Sequence, residues 1–228
     1  MYDLSGEKVN EDTDETVETT FNRILENIAE HRKTLDIDVA NRSSFGKELE
    51  RRINAELTRY PKKDQTEAKD IYNWHVANLE FANASRARDL SLMQWDHDDE
   101  FDFTGDHVIV RGGNVKFIEA LAQGLRIWYG HRVTGITRGE SVGSKGVIVH
   151  VGASLDVVAD ACVVTTSLGA LKRDDINFVP ALPWRKLQSI QNLGFGVLNK
   201  VILVFPTVFW NPERDTFGFV QQSTCDRG

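Results

Sequence analysis

Apolar residues recur at a helical period in the first part of this chain and at a strand period in its middle, and that switch confines it to the mixed α/β classes. Val17, Phe21, Ile24, Leu25 and Ile28 make one apolar face and predict a helix over about 16–33. A second helix is expected from Ser44 to Arg59, stopping before Pro61. A third is expected over about 65–84, with Ile71, Trp74 and Phe81 on one face and Asn78 on that same face. A polar residue in an apolar stripe must find a hydrogen-bond partner or line a cavity. Residues 1–15 read as an acidic, flexible lead-in, and Tyr60 to Thr66 as a loop.

Strand-like sequence then takes over. Val108–Val110 leads to Gly112-Gly113, and Asn114 is a plausible N-cap for a helix bearing Phe117, Leu121 and Leu125. Val133–Thr137, Gly146–Val151 and Val157–Thr165 read as strands, with a hairpin turn at Gly143–Gly146. A helix should follow Pro183, with Trp184, Leu187 and Ile190 on one face and Gly194 as its stop. Lys200–Phe205 reads as a last strand.

Composition narrows the function classes. A net charge of -7 disfavours a general nucleic-acid surface, which needs a basic face to release counterions. The 2 cysteines, Cys162 and Cys225, are too few and too far apart for a disulfide framework or a zinc site. Cys162 lies in an apolar run and reads as a buried thiol. No run is long and apolar enough to span a membrane, and the polar, acidic start does not resemble a secretory signal. No Lys/Arg cluster marks nuclear import.

The most conspicuous stretch is WDHDDEFDFTGDH, residues 95–107, in which 6 of 13 residues are acidic. A helix-loop-helix calcium loop needs Gly at its sixth place and Glu at its twelfth; counted from Asp96 those are Phe101 and His107, so that reading fails and no metal is expected. A solvated acidic loop is the default for a charge run. The alternative is a wall for a cationic peptide, with Trp95, Phe101 and Phe103 interleaved among the acids. Lys200 opens an apolar run and is either a strand-end charge or a lysine turned into a catalytic cavity. His75 and His107 read as structural histidines, and Gly112-Gly113 as a tight turn.

Four segments carry more than spacing does: NWHVANLEFANAS (73–85), LSLMQWDHDDEFDFTGDHVIVRGG (90–113), TTSLGALK (165–172) and LGFGVLNKVILVFPTVFWNP (193–212). Together with FNRILENIAEHRKTLDIDV (21–39), they resemble the lysine-specific histone demethylases of the flavin-dependent amine oxidase superfamily. The resemblance implies a two-domain architecture of the amine oxidase type. Residues 1–101 and 197–228 would form the substrate-binding domain, and 102–196 part of an FAD-binding domain. It implies that Lys200 holds a water near flavin N5. It places Asn78, Ala82, Asp96, Asp98, Asp99 and His107 along a histone-tail cavity, and Val133, Thr165, Thr166 and Ser167 against the FAD. The implied reaction is oxidative demethylation of mono- and dimethyl-lysine, giving formaldehyde and hydrogen peroxide, in the nucleus.

This sequence departs from that pattern in three places. It contains no G-x-G-x-x-G for the flavin pyrophosphate, and with no natural boundary at Arg227-Gly228 it reads as an internal piece of a longer protein. Only about Leu57 to Ala68 stands where some relatives carry a long helical hairpin that docks a corepressor, so that docking element is absent. Ser167 replaces the usual proline of the flavin-side motif, which should loosen that loop. The rival expectations are a polyamine or other small-amine oxidase, and a non-catalytic reader of histone tails.

Overall fold

The computed structural model describes residues 1–3, 5–97, 104–105, 108, 110–139, 146–213 and 216–220. It is a mixed α/β chain, as the change of period requires, and it divides into two compact units, Met1–Asp102 with Gly196–Gly228, and Phe103–Phe195.

The first unit is helical. Helix α1 runs from Glu11 to Arg32, with the Asn10 side chain accepting from the Thr13 amide and Val17, Phe21, Ile24 and Ile28 buried. The short α2 covers Ile37–Arg42, capped by Asp36, and α3 covers Phe45–Leu57, capped by Ser44. Helix α4 runs from Gln65 to Asn83 and closes with Ala84 in the left-handed region, φ 46°. The core joins Phe21, Ile24 and Ile28 of α1, Phe45, Leu49 and Ile53 of α3, and Ala68, Ile71, Tyr72 and Val76 of α4. At roughly 1.5–3 kcal/mol per large apolar side chain, this layer supplies the unit's main stabilisation. Gly46 lets α3 approach the backbone of Ala87 and Arg88, where a Cβ would collide.

Two expectations are corrected here. The face of α4 that packs is Ala68, Ile71, Tyr72 and Val76, whereas Phe81 and Asn78 are exposed. The lead-in is no free tail: helix α1 already begins at Glu11, and Val9 is buried. Tyr2 donates its amide to Gly218 O at 3.0 Å and accepts from the Val220 amide at 2.8 Å.

The second unit is built on a four-stranded sheet of order β3-β2-β1-β4. Its strands are β1 (Val133–Arg138), β2 (Val147–Val151), β3 (Leu155–Ala159) and β4 (Asn177–Val179). Strands β1, β2 and β3 form an antiparallel meander, and β4 runs parallel to β1. The hairpin turn expected at Gly143–Gly146 lies, but for Gly146, outside the described residues. Helices α5 (Val115–Ala122), α6 (Leu168–Lys172) and α7 (Trp184–Asn192) complete the unit.

Three further strand readings fail. Val108 and Val110 lie outside any strand. The expected strand at 157–165 ends at Ala159, and Cys162 beyond it is exposed, not buried. Lys200–Phe205 pairs with no strand among the described residues, and Val201, Ile202, Leu203 and Val204 are all exposed. β-branched sequence supplies propensity, but a strand forms only where a neighbour offers its backbone and a packed face.

Candidate functional site

In the first unit, Asn78 and Ala82 sit 4 residues apart on α4, so they share a face, and both are exposed beside the exposed ring of Phe81. Gly196 packs on the carbonyl of Ala84 at the end of that helix, where a Cβ would collide. Lys200, itself exposed, follows 4 residues later, so its Cα lies within about 14 Å of Gly196. The chain that carries Lys200 thus departs from the end of the helix that carries Asn78 and Ala82.

The acidic run begins from an anchored point. The Leu92 amide donates to Ser43 O at 2.8 Å. Trp95 stacks on Phe45 with ring centroids 4.3 Å apart and planes at 15°. Trp95 is partly buried and packs against the helical core. Asp96 is paired with Arg32 from the last turn of α1, and the same guanidinium donates to Met93 O at 3.3 Å. Asp96 therefore enters the site already committed to an internal cation. Asp98, Asp99 and His107 lie outside the described residues.

His75 packs among aromatic rings, and its buried Nε2 has no hydrogen-bond partner among the described residues. Its ring stacks on Phe21 at 5.0 Å and meets Trp74 edge-on at 5.1 Å. Burial pushes its pKa down, although Glu18 and Asp14 of α1 pull the other way.

In the second unit, Val133 opens β1 opposite Val151. Thr165 and Thr166 are exposed and lie outside any helix or strand just before α6. Ser167 caps α6, its hydroxyl accepting from the Ala170 amide at 3.4 Å. An open cleft of about 340 Å³ lies against the sheet, lined by Ile136, Val147, Phe178, Cys162 and Val164 among others. Val164 leads directly into Thr165. Arg138 and Lys186 also line it, and an apolar cleft with cations at its edge suits a flat aromatic ring carrying anionic groups, such as a flavin nucleotide. It offers no Gly-rich turn for a pyrophosphate, so these residues fit only part of such a cofactor. Among the described residues, no cluster of His, Cys, Asp and Glu could hold a metal, and no helix is long and apolar enough to cross a membrane.

A mixed α/β chain with an apolar, cation-edged cleft in one unit and an exposed helix face followed by a lysine in the other has parts that a flavin-linked oxidoreductase needs. Comparison with known proteins agrees: residues 2–227 match the flavin containing amine oxidoreductase family, and the chain belongs to it. It is 40% identical over 228 residues to Lysine-specific histone demethylase 1 homolog 2 of Arabidopsis thaliana, covering 100% of this chain and 29% of that protein. It is 40% identical over 230 residues to Protein FLOWERING LOCUS D of the same plant, covering 100% of this chain and 28% of that protein. A fly relative, Possible lysine-specific histone demethylase 1 of Drosophila melanogaster, is 41% identical over 174 residues, 69% of this chain and 19% of its own length. The chain thus spans under a third of the length of these curated relatives.

Proposed function

We propose that this chain supplies the substrate face and part of the flavin site of an FAD-dependent oxidase acting on mono- and dimethyl-lysine of histone tails in the nucleus. The observation that carries this is the match, along the whole chain, to relatives named as lysine-specific histone demethylase homologues. Exposed Asn78 and Ala82 would line the tail, and Asp98, Asp99 and His107 would continue that wall. Asp96 would act through its pair with Arg32, holding the start of the acidic run in place. Val133, Thr165, Thr166 and Ser167 would border the FAD, and Lys200 would hold a water beside it. Bound FAD supplies a two-electron acceptor. The balanced reaction takes a methylated amine, O₂ and water to the demethylated amine, formaldehyde and hydrogen peroxide. Transfer from the N-methyl carbon needs the nitrogen lone pair, so trimethyl-lysine is excluded.

The test is turnover of a dimethyl-lysine histone peptide by the FAD-loaded full-length protein, with spermine and a trimethyl-lysine peptide beside it. Formaldehyde release from the dimethyl peptide alone, lost in Lys200→Ala, is the expected result. Turnover of spermine in preference to the peptide would make it a small-amine oxidase. The lack of a Gly-rich pyrophosphate turn in this chain favours one second reading, a tail-binding module without turnover. In that case Lys200→Ala would leave peptide affinity unchanged and no formaldehyde would form.

A further inference from the structure

The side chains of a strand alternate between the two faces of its sheet, so residues 133, 135 and 137 of an unbroken strand would share one face. In β1 they do not. Val133 pairs with Val151, yet Gly135 pairs with His150, the very next residue of β2. Thr134 is an extra residue, a bulge, and it moves Val133 across the sheet. Val133 now shares the face of Ile136 and of its partner Val149, together with Val151. Ile136 and Val151 are buried, and Val157 of β3, paired with Val149, lies on this side too. Without the bulge, Val133 would lie on the opposite face, beside the polar pair His150 and Asp156.

Side chains hold this irregularity in place. The Thr134 hydroxyl lies 3.3 Å from His150 O and 3.2 Å from Gly152 O, one donor shared by two carbonyls across the bulge. The Gly152 amide returns a bond to Arg132 O at 2.9 Å. On the polar face, the imidazole of His150 lies over Gly135, where a Cβ would come within 3.2 Å of its Cδ2. Its Nε2 is 2.9 Å from Thr137 Oγ1 and its Nδ1 is 2.7 Å from Asp156 Oδ1. One ring thereby ties three strands in the shifted register.

We propose that Thr134 is a positioning residue for the flavin: its hydroxyl holds the bulge that turns Val133 to the sheet face where Ile136, Cys162 and Val164 line the cleft leading to Thr165–Ser167. The clamp of Asp156, His150 and Thr137 secures the same register from the other side. This rests on the reading that Val133 and Thr165–Ser167 border FAD. Regular pairing would take one of these contacts away from the others while leaving the sheet intact.

The test uses the full chain with added FAD, followed by flavin fluorescence quenching and thermal melting. Thr134→Val keeps shape and strand propensity but removes the shared donor. It should weaken FAD binding about five- to tenfold, the equivalent of about one lost hydrogen bond. Thr134→Ser should restore the wild-type affinity, which a purely steric role would not. Should Thr134→Val lose its cooperative melt, Asp156→Asn carries the test from an exposed position, with a loss of about threefold expected from loosening the clamp. Wild-type affinity in both variants would overturn the proposal. Val133→Trp separates its failure from that of the underlying reading. If this variant, or the wild-type chain itself, shows that FAD does not contact Val133, the flavin reading falls and takes the proposal with it. If Val133→Trp blocks FAD while Thr134→Val does not, only the positioning role is refuted.

Discussion

Removing the guanidinium of Arg32 should destabilise the helical unit by more than a surface ion pair would. The side chains of Arg32 and Asp96 are 17% and 10% exposed, so both charges are mostly withdrawn from water. Exposed pairs contribute about 0–1 kcal/mol. Breaking a fully buried pair costs about 3–5 kcal/mol, because one charge is left behind without a partner. The Arg32–Asp96 pair lies between these limits, which sets a coupling energy of about 2 kcal/mol. The assay is a double-mutant cycle of Arg32→Met and Asp96→Asn in urea denaturation, since Met keeps the apolar stem and Asn keeps the shape. Arg32→Met alone should be the most damaging, and adding Asp96→Asn should recover part of the loss. A coupling below about 0.5 kcal/mol would refute the structural role. If Asp96→Asn left stability untouched yet weakened binding of a basic peptide, the carboxylate would belong to the substrate wall after all.

Three other perturbations test the same unit. Burial lowers the pKa of His75, so its neutral form is the one that packs; stability should be full above about pH 6.5, where unfolded histidine titrates, and fall as pH drops below it. His75→Phe should abolish that slope in urea melts run from pH 7.5 to 5. Hydrogen bonding to Arg51, with Arg52 beside it, holds the Glu48 carboxyl down to about 2. Its contribution should therefore be complete above about pH 4.5 and be lost as pH falls from there towards 2, a slope that Glu48→Gln removes. Gly46→Ala should cost about 1–3 kcal/mol in urea, despite alanine's better helix propensity, because the new methyl meets backbone at Ala87 and Arg88.

Long periodic stretches were legible in the sequence because their burial is one-sided. Val17, Phe21, Ile24 and Ile28 mark α1 in the sequence and are buried in the structure. Helix α2 gave no such signal: of its 6 residues only Ala40 is buried, while Ile37 and Val39 face solvent. Helix α6, with 5 residues and none buried, was equally silent. Propensity misled at Lys200–Phe205, since apolar β-branched residues say nothing about whether a neighbouring strand is present. Charge density was silent on the stacking of Trp95 and the pairing of Asp96. The sequence shows the acids, but it does not show that an arginine 64 residues earlier returns to one of them. The bulge at Thr134 was invisible too, because it depends on the register of β2. The role of Lys200 was undecidable from spacing and came only from the resemblance of whole segments to a family.

The contact between residue 2 and residues 218–220 also bears on how the chain acquires its shape. Val220 is buried in the same apolar cluster as Val9, so the helical layer is finished by chain from both ends of this sequence. At about 5–20 residues per second of synthesis, the last of these pieces leaves the ribosome roughly 10–40 s after the first. Through that interval α1 and α4 can meet, but Tyr2 has no Gly218 to bond. Translation therefore delays completion of the helical unit until its final segment arrives.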